Sequence, residues 1–88
     1  MNKIKVYFIS DGTGLSTEQL GKSILIQFPD ISFEYKTIPF VNTLKKAKAL
    51  AKKINKEPSA MVFSTLIYEE LNEPFDDNDF FHINFLIF

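Results

Sequence analysis

The sequence predicts an α/β protein, an open and mostly parallel sheet built in the order βαβαβα. Three observations predict it. Residues 3–9, 31–38 and 60–63 show apolar alternation or short apolar runs rich in β-branched and aromatic types, which read as strands. Between the runs, apolar residues recur at helical spacing near residues 20–28 and 44–54. Turn-forming residues separate the segments, and strands that alternate with helices in this way close into parallel βαβ units with right-handed crossovers.

"KIKVYFI", residues 3–9, places Ile4, Val6 and Phe8 on one side and Lys3, Lys5 and Tyr7 on the other. Ser10 to Gly14 break this strand. Ser16 with Gln19 fits a capping box, in which a hydroxyl is followed three residues on by Glu or Gln. Leu20, Ile24 and Phe28 then repeat every four residues as one apolar stripe, and Pro29-Asp30 ends the helix. "ISFEYKTI", residues 31–38, sets Ile31, Phe33 and Tyr35 against Ser32, Glu34 and Lys36, a half-exposed strand suited to a sheet edge. Asn42 or Thr43 caps the second helix, where Leu44, Ala47, Leu50, Ala51 and Ile54 face inward. Lys45, Lys48, Lys52 and Lys56 line another face, with Lys46 and Lys53 beside them, and read as a solvated surface. After the turn Glu57-Pro58-Ser59, "AMVF" at 60–63 is apolar throughout, as a central strand covered on both faces should be. Ser64-Thr65 is placed to cap a third short helix through about Leu71.

Strand 1 reads as buried and strand 2 as an edge, so the simplest strand order is 2-1-3, the flavodoxin-like arrangement. The chain then reverses direction across the sheet between strands 1 and 3. Ligands of such sheets bind outside the carboxyl ends of the strands at that switch point. The loops Ser10-Asp11-Gly12-Thr13-Gly14 and Ser64-Thr65 meet there, and the first supplies the candidate binding residues.

Composition narrows the function classes. The chain has 88 residues, room for one small domain, yet 45 % of them are hydrophobic and ten are phenylalanine, which argues against disorder. A net charge of −1 gives no global pull toward nucleic acid or an anionic membrane. The absence of cysteine removes disulfides, thiolate catalysis and sulfur–metal sites. "MNKIKVYFIS" is too short in its apolar part for a signal-peptide core, and no stretch approaches the roughly 20 apolar residues of a membrane span. The expected location is the cytoplasm. His82 has no second histidine or cysteine with which to bind metal, and Asp76-Asp77-Asn78-Asp79 lacks the glycine and terminal glutamate of a calcium loop.

Gly21-Lys22-Ser23 looks like the end of a phosphate-binding P-loop, but the glycine required five residues earlier is Ser16. The lysine also lies in the second helical turn, where the amides are already used. Gly12-Thr13-Gly14 is two thirds of a dinucleotide fingerprint whose third glycine position is Thr17. Thr13-Gly14-Leu15-Ser16 offers hydroxyls and helix-start amides together, which suits an anion. The competing reading is a capped turn in which Gly12 and Gly14 supply special backbone angles. Asp11 opposes an unneutralised phosphate and is suited instead to Mg²⁺ or to orienting a hydroxyl or base.

"VYFISDGTGLSTEQLGKSILIQFP", "TIPFVNTLKKA" and "MVFSTLIYEEL" together resemble the pyruvate, phosphate dikinase / phosphoenolpyruvate synthase regulatory proteins, the kinase–pyrophosphorylase family, over about residues 4–72. The S-D-G-T-G form is closer to the phosphoenolpyruvate synthase branch. The resemblance implies a cytoplasmic serine/threonine kinase that uses ADP to inactivate its target synthase on a threonine. It also implies a phosphorylase activity that uses inorganic phosphate to restore the target, releasing pyrophosphate. It implies phosphoenolpyruvate synthase or pyruvate, phosphate dikinase as partner. The family's P-loop lies in a C-terminal domain beyond these 88 residues, so residues 1–88 are expected to be a single N-terminal, incomplete domain from a truncated chain, inactive alone and holding neither ADP nor phosphate tightly. No catalytic residue is carried over; Ser10, Asp11, Gly12, Thr13 and Gly14 correspond to the family's N-terminal motif. The alternative is a stand-alone flavodoxin-like module for a phosphate-bearing ligand or nucleotide. The last strand, "FFHINFLIF", is expected to expose Phe80, Phe81, Phe85 and Phe88 and to drive self-association.

Overall fold

The computed structural model describes residues 3–86. Its elements are β1 (Ile4–Ser10), α1 (Leu15–Leu25), β2 (Phe33–Ile38), α2 (Leu44–Ile54), β3 (Ala60–Thr65), α3 (Glu69–Asp76) and β4 (Phe81–Asn84). All strands are parallel, in the order β2-β1-β3-β4. The α/β class and the 2-1-3 core of the sheet are as the sequence predicts. The four-residue β4 extends the sheet beyond β3, so β3 is central and β2 remains an edge.

The connection from β1 to β2 runs one way across the sheet, and those from β2 to β3 and β3 to β4 run the other. With right-handed crossovers this places α1 on one face and α2 and α3 on the opposite face. The two-helix face buries Tyr7, Ile9 and Val62 of the sheet against Ala47, Ala51 and Ile54 of α2 and Leu71 and Phe75 of α3. The α1 face buries Val6, Phe8 and Phe63 against Leu25. An aromatic ladder crosses this second face: Tyr35 stacks on Phe8 (5.7 Å), Phe8 on Phe63 (6.0 Å) and Phe63 on Phe85 (5.4 Å). β1 therefore hides both its sides, Tyr7 included, where alternation with Lys3 and Lys5 had put Tyr7 on a polar face.

α1 corrects two expectations. Gly14, not Ser16, is its N-cap, and no side chain caps it, so the Ser16–Gln19 capping box does not form. Its buried face is Thr17, Gly21 and Leu25, while Leu20 and Ile24 are exposed, as is Phe28 beyond its end. The Leu20–Ile24–Phe28 stripe has the right spacing and the wrong face. The reason is Gly21: a Cβ there would lie 2.9 Å from Cδ1 and 3.2 Å from Cζ of Phe8, and closer still to Cε1. Only a glycine lets the helix approach the Phe8 ring, so the small residues set the contact face. That also accounts for the glycine of the Gly21-Lys22-Ser23 triplet.

α2 is capped as expected: the Thr43 hydroxyl accepts from the Lys46 N–H at 3.2 Å. Ala47, Ala51 and Ile54 are buried, whereas Leu44 at the first turn is exposed. α3 is a further correction. Ser64 and Thr65 belong to β3, and α3 begins at Glu69 with Tyr68 as an N-cap that makes no side-chain bond. Of the four C-terminal phenylalanines, Phe80 packs on the two-helix core and Phe85 stacks on Phe63, while Phe81 is exposed. Phe88 lies outside the described residues.

Candidate functional site

Ser10 is the last residue of β1 and pairs with Thr65 of β3, while Ile9 pairs with Ile38 of β2. The chain therefore leaves the sheet between the carboxyl ends of its two neighbours. Both neighbouring loops grip it. The Val41 N–H donates to the Ser10 carbonyl and the Phe40 N–H to the Gly12 carbonyl, each at 2.9 Å. From the other side the Ile67 N–H donates to Asp11 Oδ2 at 3.3 Å. Inside the loop, the Gly12 N–H donates to Ser10 Oγ at 3.0 Å and the Leu15 N–H to Thr13 Oγ1 at 3.5 Å.

Gly14 turns the loop into α1 with a left-handed backbone, φ 88°. A side chain there would be strained by that angle, and its Cβ would lie 2.6 Å from Cγ2 of Thr37. Gly12 has neither constraint; its Cβ position is open except for Ser10 Oγ at 3.8 Å. The expectation that both glycines serve special angles thus holds at Gly14 alone.

The start of α1 is fixed to both neighbouring strands. Thr17 and Thr65 share a hydroxyl hydrogen bond of 2.6 Å, and Thr37 Oγ1 donates to Glu18 Oε2 at 3.1 Å. Lys22 Nζ donates to Glu18 Oε1 at 2.7 Å, and this bond, then the one from Thr37, holds the Glu18 carboxyl below the usual glutamate range. The N–H groups of Ser16 and Thr17 in the first turn find no acceptor among the described residues. Free first-turn N–H groups and the positive end of a helix dipole are the chemistry that suits a small anionic group, and the loop with this first turn is the candidate cradle.

Asp11 does not sit in a metal cluster: no group of three or more His, Cys, Asp or Glu among the described residues is placed to hold a metal ion. Its carboxylate ties the first loop to the third. A cavity of about 480 Å³ lies at the other end of the sheet, lined by Ile4, Glu57, Ser59 and Phe80. Another of about 280 Å³ lies between Ile67, Asn72, Asp76 and Asn84.

Sequence reasoning missed Phe40. This exposed residue has a left-handed backbone, φ 59°, which costs a non-glycine residue about 1–2 kcal/mol. That conformation accompanies the bond from its N–H to Gly12. The only signal for it was that "TIPFVNTLKKA" belongs to the quoted resemblance. Thr17, Thr37 and Thr65 were likewise invisible as partners, because they meet only across the fold.

A second constellation has the atom order of a nucleophile triad. Ser64 Oγ lies 2.8 Å from His82 Nε2, and His82 Nδ1 lies 2.6 Å from Asp76 Oδ1. Ser64, however, is fully buried and donates its one proton to Asn72 Oδ1 at 3.0 Å. Asn72 Nδ2 is in turn committed to the carbonyls of Leu66 (2.9 Å) and Tyr68 (3.3 Å). The network holds α3 and β4 to β3; it has no free, exposed nucleophile.

The family model described as Kinase/pyrophosphorylase matches residues 6–86. The chain belongs to the kinase/pyrophosphorylase family. Among its relatives is a protein of Thiobacillus denitrificans named as a phosphoenolpyruvate synthase regulatory protein, 42 % identical over 77 residues. The match covers 88 % of this chain and 30 % of that one. Proteins of the same name from Pseudomonas fluorescens and Stutzerimonas stutzeri are 37 % identical over 76 residues and 36 % identical over 87 residues. They cover 81 % and 93 % of this chain, and 28 % and 32 % of their own lengths. The chain therefore spans about a third of the length of these kinase/pyrophosphorylase relatives. No helix among the described residues is long and apolar enough to cross a membrane.

Proposed function

We propose that this chain acts in the control of phosphoenolpyruvate synthase by reversible phosphorylation, and that the Ser10–Gly14 loop with the first turn of α1 receives a phosphate-bearing group in that process. Membership of the kinase/pyrophosphorylase family and the names of its relatives support the first part. The observation that carries the second is the cradle itself: a glycine-turned loop at the switch point of the sheet, clamped from both sides, with first-turn amides left free.

In this reading ADP and inorganic phosphate are the small-molecule substrates, a threonine of the synthase is the acceptor, and the location is the cytoplasm. Phosphoryl transfer depends mostly on positioning and charge neutralisation. A cradle of two amides and a helix dipole supplies part of that, and Asp11 beside it opposes tight binding of a free dianion. The 88 residues contain no G-x-x-x-x-G-K-[ST] segment, so the transfer step itself is assigned elsewhere and this chain alone is inactive.

Two measurements test this. The purified chain, incubated with the synthase and ADP labelled in its β-phosphate, should leave the synthase unlabelled; labelling would refute the assignment of the chemistry. In a longer relative, replacing the aspartate that matches Asp11 with asparagine should change both activities, since it removes the charge that opposes a bound dianion, and leave the melting temperature unchanged, because asparagine keeps an oxygen for the Ile67 N–H. Unchanged activity would remove Asp11 from the site.

A further inference from the structure

A hydrogen-bond relay runs from solvent at Asp76 to the third loop, and its donors and acceptors follow from the buried end outward. Both N–H groups of the Asn72 amide donate, to the carbonyls of Leu66 at 2.9 Å and Tyr68 at 3.3 Å. Asn72 Oδ1 therefore faces Ser64 and accepts its one hydroxyl proton at 3.0 Å. Ser64 Oγ has only lone pairs left for His82 Nε2 at 2.8 Å, so Nε2 must carry a proton. On the other side of the ring, Nδ1 lies 2.6 Å from Asp76 Oδ1. An ionised carboxylate only accepts, so Nδ1 must carry a proton too. Either neutral tautomer would set two acceptors against each other.

We propose that His82 is an imidazolium with both ring nitrogens donating, and that its charge closes a relay, Asp76–His82–Ser64–Asn72, which positions the β3–α3 loop beside the candidate site. The surroundings favour the charge. The His82 side chain is 3 % exposed and that of Asp76 55 % exposed, so the cation is desolvated while its counterion stays in water. Their 2.6 Å separation suits a charge-assisted bond. The Phe75 ring lies 5.8 Å away, within cation–π reach. Of the elements packed against the ring, α3 brings Glu69, Glu70, Glu73 and Asp76, its connection to β4 brings Asp77 and Asp79, and β3 brings no charged side chain. Residues 57–88 contain no lysine or arginine. From α2, Lys48 lines a cavity with Glu73 and Asp77. The far end of the relay is the clamp: Leu66 and Tyr68, whose carbonyls Asn72 holds, flank Ile67, and the Ile67 N–H donates to Asp11. His82 is thus a positioning residue that acts on the Asp11 clamp through Ser64 and Asn72, whatever group the loop receives. Loss of a ring proton as pH rises sets Ser64 or Asp76 against an acceptor, so the clamp weakens toward alkaline pH.

His82 is the only histidine, so its ring gives one pair of nitrogen signals. In the nitrogen-15-labelled 88-residue chain at pH 7, long-range proton–nitrogen NMR should show both ring nitrogens protonated. Asp76→Asn should convert the ring to the neutral tautomer protonated at Nε2 alone, because the asparagine amide then donates to Nδ1. Asp79→Asn, which removes a nearby acid not bonded to the ring, should leave both protons in place. As pH is raised, the amides of Ile67 and Asp11 should shift with the same midpoint as the ring, and in Asp76→Asn that shared step should be absent above pH 7. A neutral ring in the parent chain at pH 7, a doubly protonated ring in Asp76→Asn, a ring neutralised equally by Asp79→Asn, or a ring that titrates without moving Ile67 overturns the proposal.

Discussion

Replacing Gly21 with alanine tests the packing that sets the whole α1 face. At an ordinary helical position the change should stabilise, since alanine is favoured over glycine by about 1 kcal/mol in a helix interior. Here the added methyl would lie within 3.2 Å of three Phe8 ring carbons, and Phe8 is fully buried. The ring cannot yield, because it stacks on Tyr35 at 5.7 Å and on Phe63 at 6.0 Å. Overpacking of a tight core costs about 1–3 kcal/mol, and this site belongs at the upper end, so the net destabilisation should be about 2 kcal/mol. For a domain of this size that is a fall in melting temperature of roughly 8–16 °C, read by circular dichroism. Shortening the ring partner in Phe8→Leu/Gly21→Ala should recover part of the loss in a double-mutant cycle. A rise in melting temperature for Gly21→Ala would refute the reasoning, and with it the reading of Gly21 as the residue that sets α1 on the sheet.

Three further outcomes follow from other parts of the molecule. Phe40→Gly should leave thermal stability unchanged or raise it by up to about 1 kcal/mol, since relief of the left-handed backbone offsets the extra freedom of glycine in the unfolded chain; a clear loss would mean that the ring packs. Asn72→Ala should cost about 2–3 kcal/mol in denaturant unfolding, because it removes the acceptor of the buried Ser64 O–H, leaving that hydroxyl only its contact with His82, and frees the start of α3; a loss under about 1 kcal/mol would contradict the network. Glu18 should titrate, by carboxyl-carbon NMR, below the ordinary glutamate value of 4.5, and Lys22→Ala should move it upward. With the folded value depressed, its contribution to stability is present above the unfolded value and is lost as pH falls through the folded one; a Glu18 midpoint unmoved by Lys22→Ala would break the argument.

The sheet was legible because strand patterns depend on neighbours in sequence. β1, β2 and β3 announce themselves by alternation or by an apolar run, and an edge strand such as β2 keeps its polar side. α1 was misread on its face because spacing counts apolar residues, whereas the contact was decided by what fits against Phe8: Thr17 and Gly21 are small, Leu20 and Ile24 are not. α3 was misread because Ser64 and Thr65 have capping chemistry, yet the ladder with β1 claims them first. At the candidate site, the position of the loop was legible from strand order, and Gly14 from its place between strand and helix. The grip of Phe40, Val41 and Ile67 on that loop was not, since those bonds span from 28 to 56 residues of sequence and leave no local pattern.

The loop and first turn of α1 are proposed to hold a phosphate-bearing group. Titrating inorganic phosphate into the isotopically labelled chain, followed through backbone amide NMR, tests it most directly. Weak, saturable shifts are expected at the amides of Thr13, Gly14, Ser16 and Thr17, with Phe40 responding through its bond to Gly12. Shifts confined to the lysines of α2, or none in the loop at any phosphate concentration, would contradict it.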